Sequence, residues 1–68
     1  MASAAIHTVY RAPAGAWINR VGESDRASSV HRTKKEAVAR GREMAIYART
    51  EHIVHTTDGR VASRHSYS

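Results

Sequence analysis

Five histidines in 68 residues, His7, His31, His52, His55 and His65, are the side chains best able to ligate a metal or move a proton, and their spacing decides which. A metal site gathers three or four His, Cys, Asp or Glu donors at one point. On a strand, His52 and His55 fall on opposite faces; His7 and His31 stand far off along the chain, and no Asp/Glu–His cluster has the helical spacing of a ligand pair. No metal site is predicted, and the histidines read as surface groups that add charge below about pH 6.5. Nucleophilic chemistry fares no better. No serine sits in a Gly-x-Ser-x-Gly elbow, cysteine is missing, and Glu23 and Asp25 lie in a polar stretch with no positioned partner. The four glycines are scattered singly, so no phosphate-cradling loop forms. Catalytic residues, cofactors and a small-molecule substrate are therefore not predicted, and the chain does not read as an enzyme.

The cations carry more information. Eleven lysines and arginines against six carboxylates leave a net charge of +5, with a sequence pI near 10.5. Such a surface attracts polyanions, nucleic acid first among them. Lys35, Arg42 and Arg49 recur every seven residues and line one ridge of a helix, a phosphate track or simply a solvated flank. Arg11 and Arg20 belong to a strand pair that also carries Tyr10 and Trp17, although the rings and the arginines face opposite ways. Contact with nucleic acid through these five cations would be largely independent of sequence. The competing reading is a homodimer or protein-interaction module in which Val9 and Ile18 centre an open sheet face.

These side chains depend on a small set of elements. Ile6–Arg11 and Ala16–Val21 are β-branched and aromatic runs joined by Ala12-Pro13-Ala14-Gly15, a hairpin that sets Tyr10 opposite Trp17 and Ile6 opposite Val21. Alternation then puts Ile6, Tyr10, Trp17 and Val21 on a core face, and His7, Val9, Arg11, Ile18 and Arg20 on the other. Gly22 to Arg32 reads as a polar loop with Val30 as its one sizeable apolar residue. Thr33 followed by Glu36 is a capping box that opens a helix from about Lys34 to Arg49. Ala37, Val38, Gly41, Met44, Ala45 and Ala48 form its apolar stripe. The small Ala37, Gly41 and Ala45 allow close approach to a sheet and leave room for a ring such as Trp17. On the outer side Glu36 is spaced to pair with Arg40, while Ile46 and Ala39 point away from the stripe.

After the helix, His52–His55 and Arg60–His65 flank Asp58-Gly59, a strong hairpin signal. A two-residue turn sets His52 opposite His65, and a glycine-bulge loop sets His55 opposite Val61. Tyr67 ends the last strand with its ring against the domain. The prediction is one α+β domain over residues 6–68, ββαββ, with an antiparallel sheet of two hairpins and one helix across one face; residues 1–5 form a frayed tail. No apolar run reaches the roughly 20 residues of a membrane span, and the start lacks the features of a signal peptide, which predicts a cytoplasmic protein. A chain of this size without disulfides is marginal alone, so self-association is expected.

Trp17, the Thr33-Lys34-Lys35-Glu36-Ala37-Val38 helix start, Gly41 and Ala45, Asp58-Gly59-Arg60-Val61 and His65-Ser66-Tyr67, in this order and spacing, resemble the small bacterial proteins grouped as domain of unknown function 2188. The resemblance covers nearly the whole chain from His7 onward. It implies a strand, strand, helix, strand, strand module and implies no activity.

Overall fold

The computed structural model describes residues 4–68. Its elements are β1 (Ile6–Arg11), β2 (Ala16–Val21), β3 (Ser29–His31), α1 (Lys34–Ala48), β4 (Glu51–His55) and β5 (Val61–Ser66). The first hairpin has the predicted register, with Tyr10 opposite Trp17 and Ile6 opposite Val21. Of the predicted tail, residues 1–3 lie outside the described residues, and the Ala5 carbonyl accepts the Gly22 N–H at 2.7 Å.

Two features of the sheet correct the sequence reading. The stretch taken as a loop contributes a third strand, β3, whose Val30 lies opposite Ile18. The sheet is also mixed, in the order β3-β2-β1-β4-β5, because β4 pairs with β1 in parallel. The helix explains this: β3 runs antiparallel to β2, and α1 carries the chain back across the sheet, so β4 enters in the direction of β1. Parallel neighbours require such a crossover. The second hairpin reconciles both predicted registers. His52 lies opposite His65, and a bulge then shifts the ladder so that His55 lies opposite Val61.

The helix starts where its cap requires. The Glu36 N–H donates to Thr33 Oγ1 at 3.2 Å, and the Thr33 hydroxyl donates to the Glu36 carboxylate at 3.0 Å. With Glu36 turned back to the cap, the Glu36–Arg40 pair is not formed; among the described residues the one ion pair joins Arg60 to Asp58. The helix ends at Arg49, whose left-handed backbone lets its N–H reach the Ala45 and Ile46 carbonyls.

Ala37, Gly41 and Ala45 are buried against the sheet, as the stripe predicts, but Gly41 does not sit over Trp17. It covers a polar seam. A Cβ at position 41 would lie 2.5 Å from Asn19 Oδ1, 2.6 Å from His52 Nε2 and 2.8 Å from Thr8 Oγ1. Thr8, Asn19 and His52 project from β1, β2 and β4 on the helix side, and all three are buried. Asn19 Nδ2 donates to the Ala37 carbonyl at 2.9 Å and to Ser29 Oγ at 3.1 Å, which fixes the amide's orientation. Its oxygen therefore accepts from the Thr8 hydroxyl at 2.5 Å. With its single proton so used, Thr8 Oγ1 accepts from His52 Nε2 at 2.7 Å. Every donor in the seam has an acceptor, so these polar groups are buried without the penalty of unmade bonds. Trp17 is 9% exposed at one end of the seam, with the Lys34 ammonium 5.5 Å above its ring.

Gly41→Ala tests the seam. Helix propensity alone would favour alanine by about 1 kcal/mol, yet the methyl group meets three buried polar atoms that cannot move without breaking their bonds. The expected outcome is a net loss of about 2 kcal/mol, read as a lower denaturant midpoint. An unchanged or raised midpoint would show that the helix is not seated this closely.

Candidate nucleic-acid interface

The five predicted cations occupy two separate surfaces. Arg11 and Arg20 lie on the sheet face away from the helix, whereas Lys35 and Arg42 project from α1 and Arg49 caps its end. The sheet stands between the two groups, so one strand of nucleic acid lying flat on either surface does not meet both.

On the face away from the helix, register places Arg20, His7, Ile53 and Arg64 in one row across four strands. His7 and His55 stack with ring centroids 5.2 Å apart, and His7 Nδ1 lies 2.9 Å from His55 Nε2. Since the Gly59 carbonyl, 3.4 Å from His55 Nδ1, can only accept, His55 carries its proton on Nδ1 and His7 donates to the other nitrogen. Burial, then Arg20, His55 and Arg64, hold the His7 pKa below 6.5 against an opposing pull from Glu23. The β2–β3 loop folds over part of this face. Arg20 Nη1 donates to the Gly22 carbonyl at 3.0 Å and Arg11 Nη2 to that of Asp25 at 3.4 Å. Ser24 and Asp25 share a depression with Val9, Ile18 and Arg20. Ile18 is 1% exposed, so the residue read as the centre of an open interface offers no surface of its own; Val9 beside it is half-buried.

The helix flank is different. Lys35 and Arg42 lie about 100–120° around the helix from the buried Ala37–Gly41–Ala45 line, on the side toward β4. Arg42 is near enough to lower the pKa of His52. Lys34, Lys35, Val38, Ala39 and Arg42 line a shallow strip on this flank that contains no carboxylate. Beyond it the helix stops short: α1 packs on β1, β2, β3 and β4 but makes no packing contact with β5, all six of whose residues are exposed. The helix-side face of β5 is thus an open shelf. His65, opposite His52, stands on it with Tyr67, their rings 4.5 Å apart. The Tyr67 N–H donates to the Thr50 carbonyl at 3.1 Å, which ties the chain just past β5 to the residue after the helix cap Arg49. The cationic flank of α1, toward β4, thus lies next to the uncovered strand that carries the two rings. The sequence reading named the cations and not His65 and Tyr67, whose i, i+2 spacing on a strand was the available signal that their rings share a face.

His52 corrects the reading of the histidines as surface groups, because it is 5% exposed and hydrogen-bonded within the seam. Burial first, then Arg42 and His65, push its pKa below 6.5. Among the described residues, no group of three or more His, Asp or Glu side chains comes together to hold a metal ion. The flank presents its cations to solvent, with the exposed His65 and the half-buried Tyr67 nearby.

A family model described as "Uncharacterized protein conserved in bacteria (DUF2188)" matches residues 6–67, and the chain belongs to that family. No curated protein and no solved structure matches it. No described helix is long and apolar enough to cross a membrane.

The pKa of His52 gives folding a pH dependence of defined sign. The unfolded chain takes up a proton near pH 6.5 that the folded seam resists, so this contribution is complete above pH 6.5 and is lost as pH falls below it. His7, shifted the same way, adds to the slope. Chemical denaturation between pH 7.5 and about 5 should show stability falling with pH. In His52→Gln, which keeps a donor for Thr8 without titrating, the fall should be smaller. An equal slope in that variant would exclude His52 as a source.

Proposed function

We propose that this member of the DUF2188 family is a small non-enzymatic basic module that contacts single-stranded nucleic acid along the groove between the Lys35–Arg42–Arg49 flank of α1 and the β5 shelf. The observation that carries this reading is the open shelf itself, where α1 leaves β5 uncovered and the His65 and Tyr67 rings stand beside a flank free of carboxylates. Single-strand binders combine a cationic track for phosphates with rings on which bases stack, and both are side by side here. Lys35 to Arg49 spans about 21 Å at 1.5 Å per residue, long enough for a short run of nucleotides. Arg11 and Arg20 play no part in this contact: the overhanging loop brings Glu23 and Asp25 to their face, which disfavours a phosphate there. In this reading Arg42 faces the ligand and also adds, after burial itself, to the lowering of the His52 pKa beneath the helix.

Titrating labelled single-stranded DNA and RNA oligonucleotides by fluorescence anisotropy, at low and moderate salt, tests the proposal. Affinity should fall steeply with salt, and Lys35→Glu combined with Arg42→Glu should weaken binding at least about tenfold while flattening the salt slope. Tyr67→Ala should weaken binding by about 1–3 kcal/mol through lost stacking. Arg11→Glu with Arg20→Glu should have a much smaller effect. Absence of binding at low salt, or a larger loss from the Arg11/Arg20 pair, would refute the assignment.

A further inference from the structure

The opposite flank of α1 presents a knob beside a hole. Tyr47 is 93% exposed. Beside the ring lies a cleft of about 730 Å³ with Ile6, Val21, Met44 and Ala48 in its wall and Arg40 and Glu43 at its rim. Neither Arg40 nor Glu43 has an ion-pair partner among the described residues. Monomeric proteins rarely leave an aromatic ring this exposed next to an apolar cleft, and a ring anchored in a pocket is a typical centre of an interface.

The spacing identifies what covers it. Arg40 and Tyr47 are seven residues apart and share one ridge, with Glu43 and Met44 between them. If two copies cross α1 antiparallel about a two-fold axis between Glu43 and Met44, position 47 of each falls opposite position 40 of the other. We propose that the protein is an isologous homodimer in which Tyr47 of each copy enters the partner's cleft and packs on the partner's Arg40. The guanidinium over the ring is a favourable cation–π arrangement. One helical turn away, the partner's Glu43 supplies the counter-charge that lets two basic chains approach. The ridge is self-complementary, as a two-fold interface requires. Dimerisation here leaves the Lys35–Arg42 flank and the β5 shelf open, so the dimer and the nucleic-acid contact stand or fall separately.

Light scattering coupled to size exclusion, over a wide range of concentration, is the test. The wild-type protein is expected to give twice the 7.5 kDa chain mass at high concentration, and Tyr47→Ala half that mass, with the same circular dichroism. The single variant Met44→Cys, beside the proposed two-fold axis and with Tyr47 and Arg40 left in place, should form an intermolecular disulfide under mild oxidation; it also decides the matter should Tyr47→Ala fail to fold. A wild-type monomer at all concentrations, a Tyr47→Ala variant that stays dimeric, or no covalent dimer from the folded Met44→Cys protein would each overturn the proposal.

Discussion

The bond from Asn19 Nδ2 to the Ala37 carbonyl joins the middle of the sheet to the first turns of the helix, and much of the molecule is arranged around it. A carbonyl can only accept, so the amide has one orientation; that orientation makes Thr8 a donor and His52 a donor in turn. Such a seam is demanding, because each group left without its partner in a low-dielectric interior costs more than an apolar contact gains. It is also specific. Sliding the helix by one residue, or slipping β1 against β2, would replace satisfied polar atoms with mismatched ones. The absence of a side chain at Gly41 is what allows the helix axis to come down on to these atoms. Apolar burial by Ile6, Trp17, Ile18, Ile53 and Val54 supplies the less selective part of the core.

Much of this plan was legible in the chain. The first hairpin's pairing follows from alternation and loop length, the helix start from Thr33 and Glu36, and its buried line from the small residues at four-residue steps. The seam was not legible, since threonine, asparagine and histidine on strands ordinarily face water, and nothing local signals that three of them converge from sequence positions far apart. β3 escaped because three residues, Ser29-Val30-His31, show no period; it is a strand only because Asn19, Ile18 and Trp17 offer it an edge. The antiparallel expectation failed for a related reason. Hairpins are read from neighbouring residues, whereas the way two hairpins join is set by the route of the crossover. The five candidate cations divide between two surfaces, a division that depends on which face each element presents. Ile18 was assigned to the correct side of the sheet and yet is covered, because the fold of the β2–β3 loop is not written in periodicity.

The outcome is a domain whose surfaces differ in character. One sheet face carries stacked histidines and arginines under a loop with two carboxylates. One helix flank is cationic and borders the exposed His65 and half-buried Tyr67 rings, and the other is apolar with a balanced pair of charges. A net charge of +5 describes none of these surfaces. What distinguishes them is where the few acidic groups stand, since a carboxylate near an arginine cancels much of its reach at physiological ionic strength.

The parallel ladder between β1 and β4 also has a kinetic consequence. Thr8 and His52, bonded across it, are separated by 44 positions in the chain, while both hairpins close over short loops. Folding rate declines as contacting residues grow more distant in sequence. Each ribbon can therefore form early on its own, and the step that unites them, zipping the central pair beneath an already wound helix, is expected to govern how fast this very small protein reaches its native state.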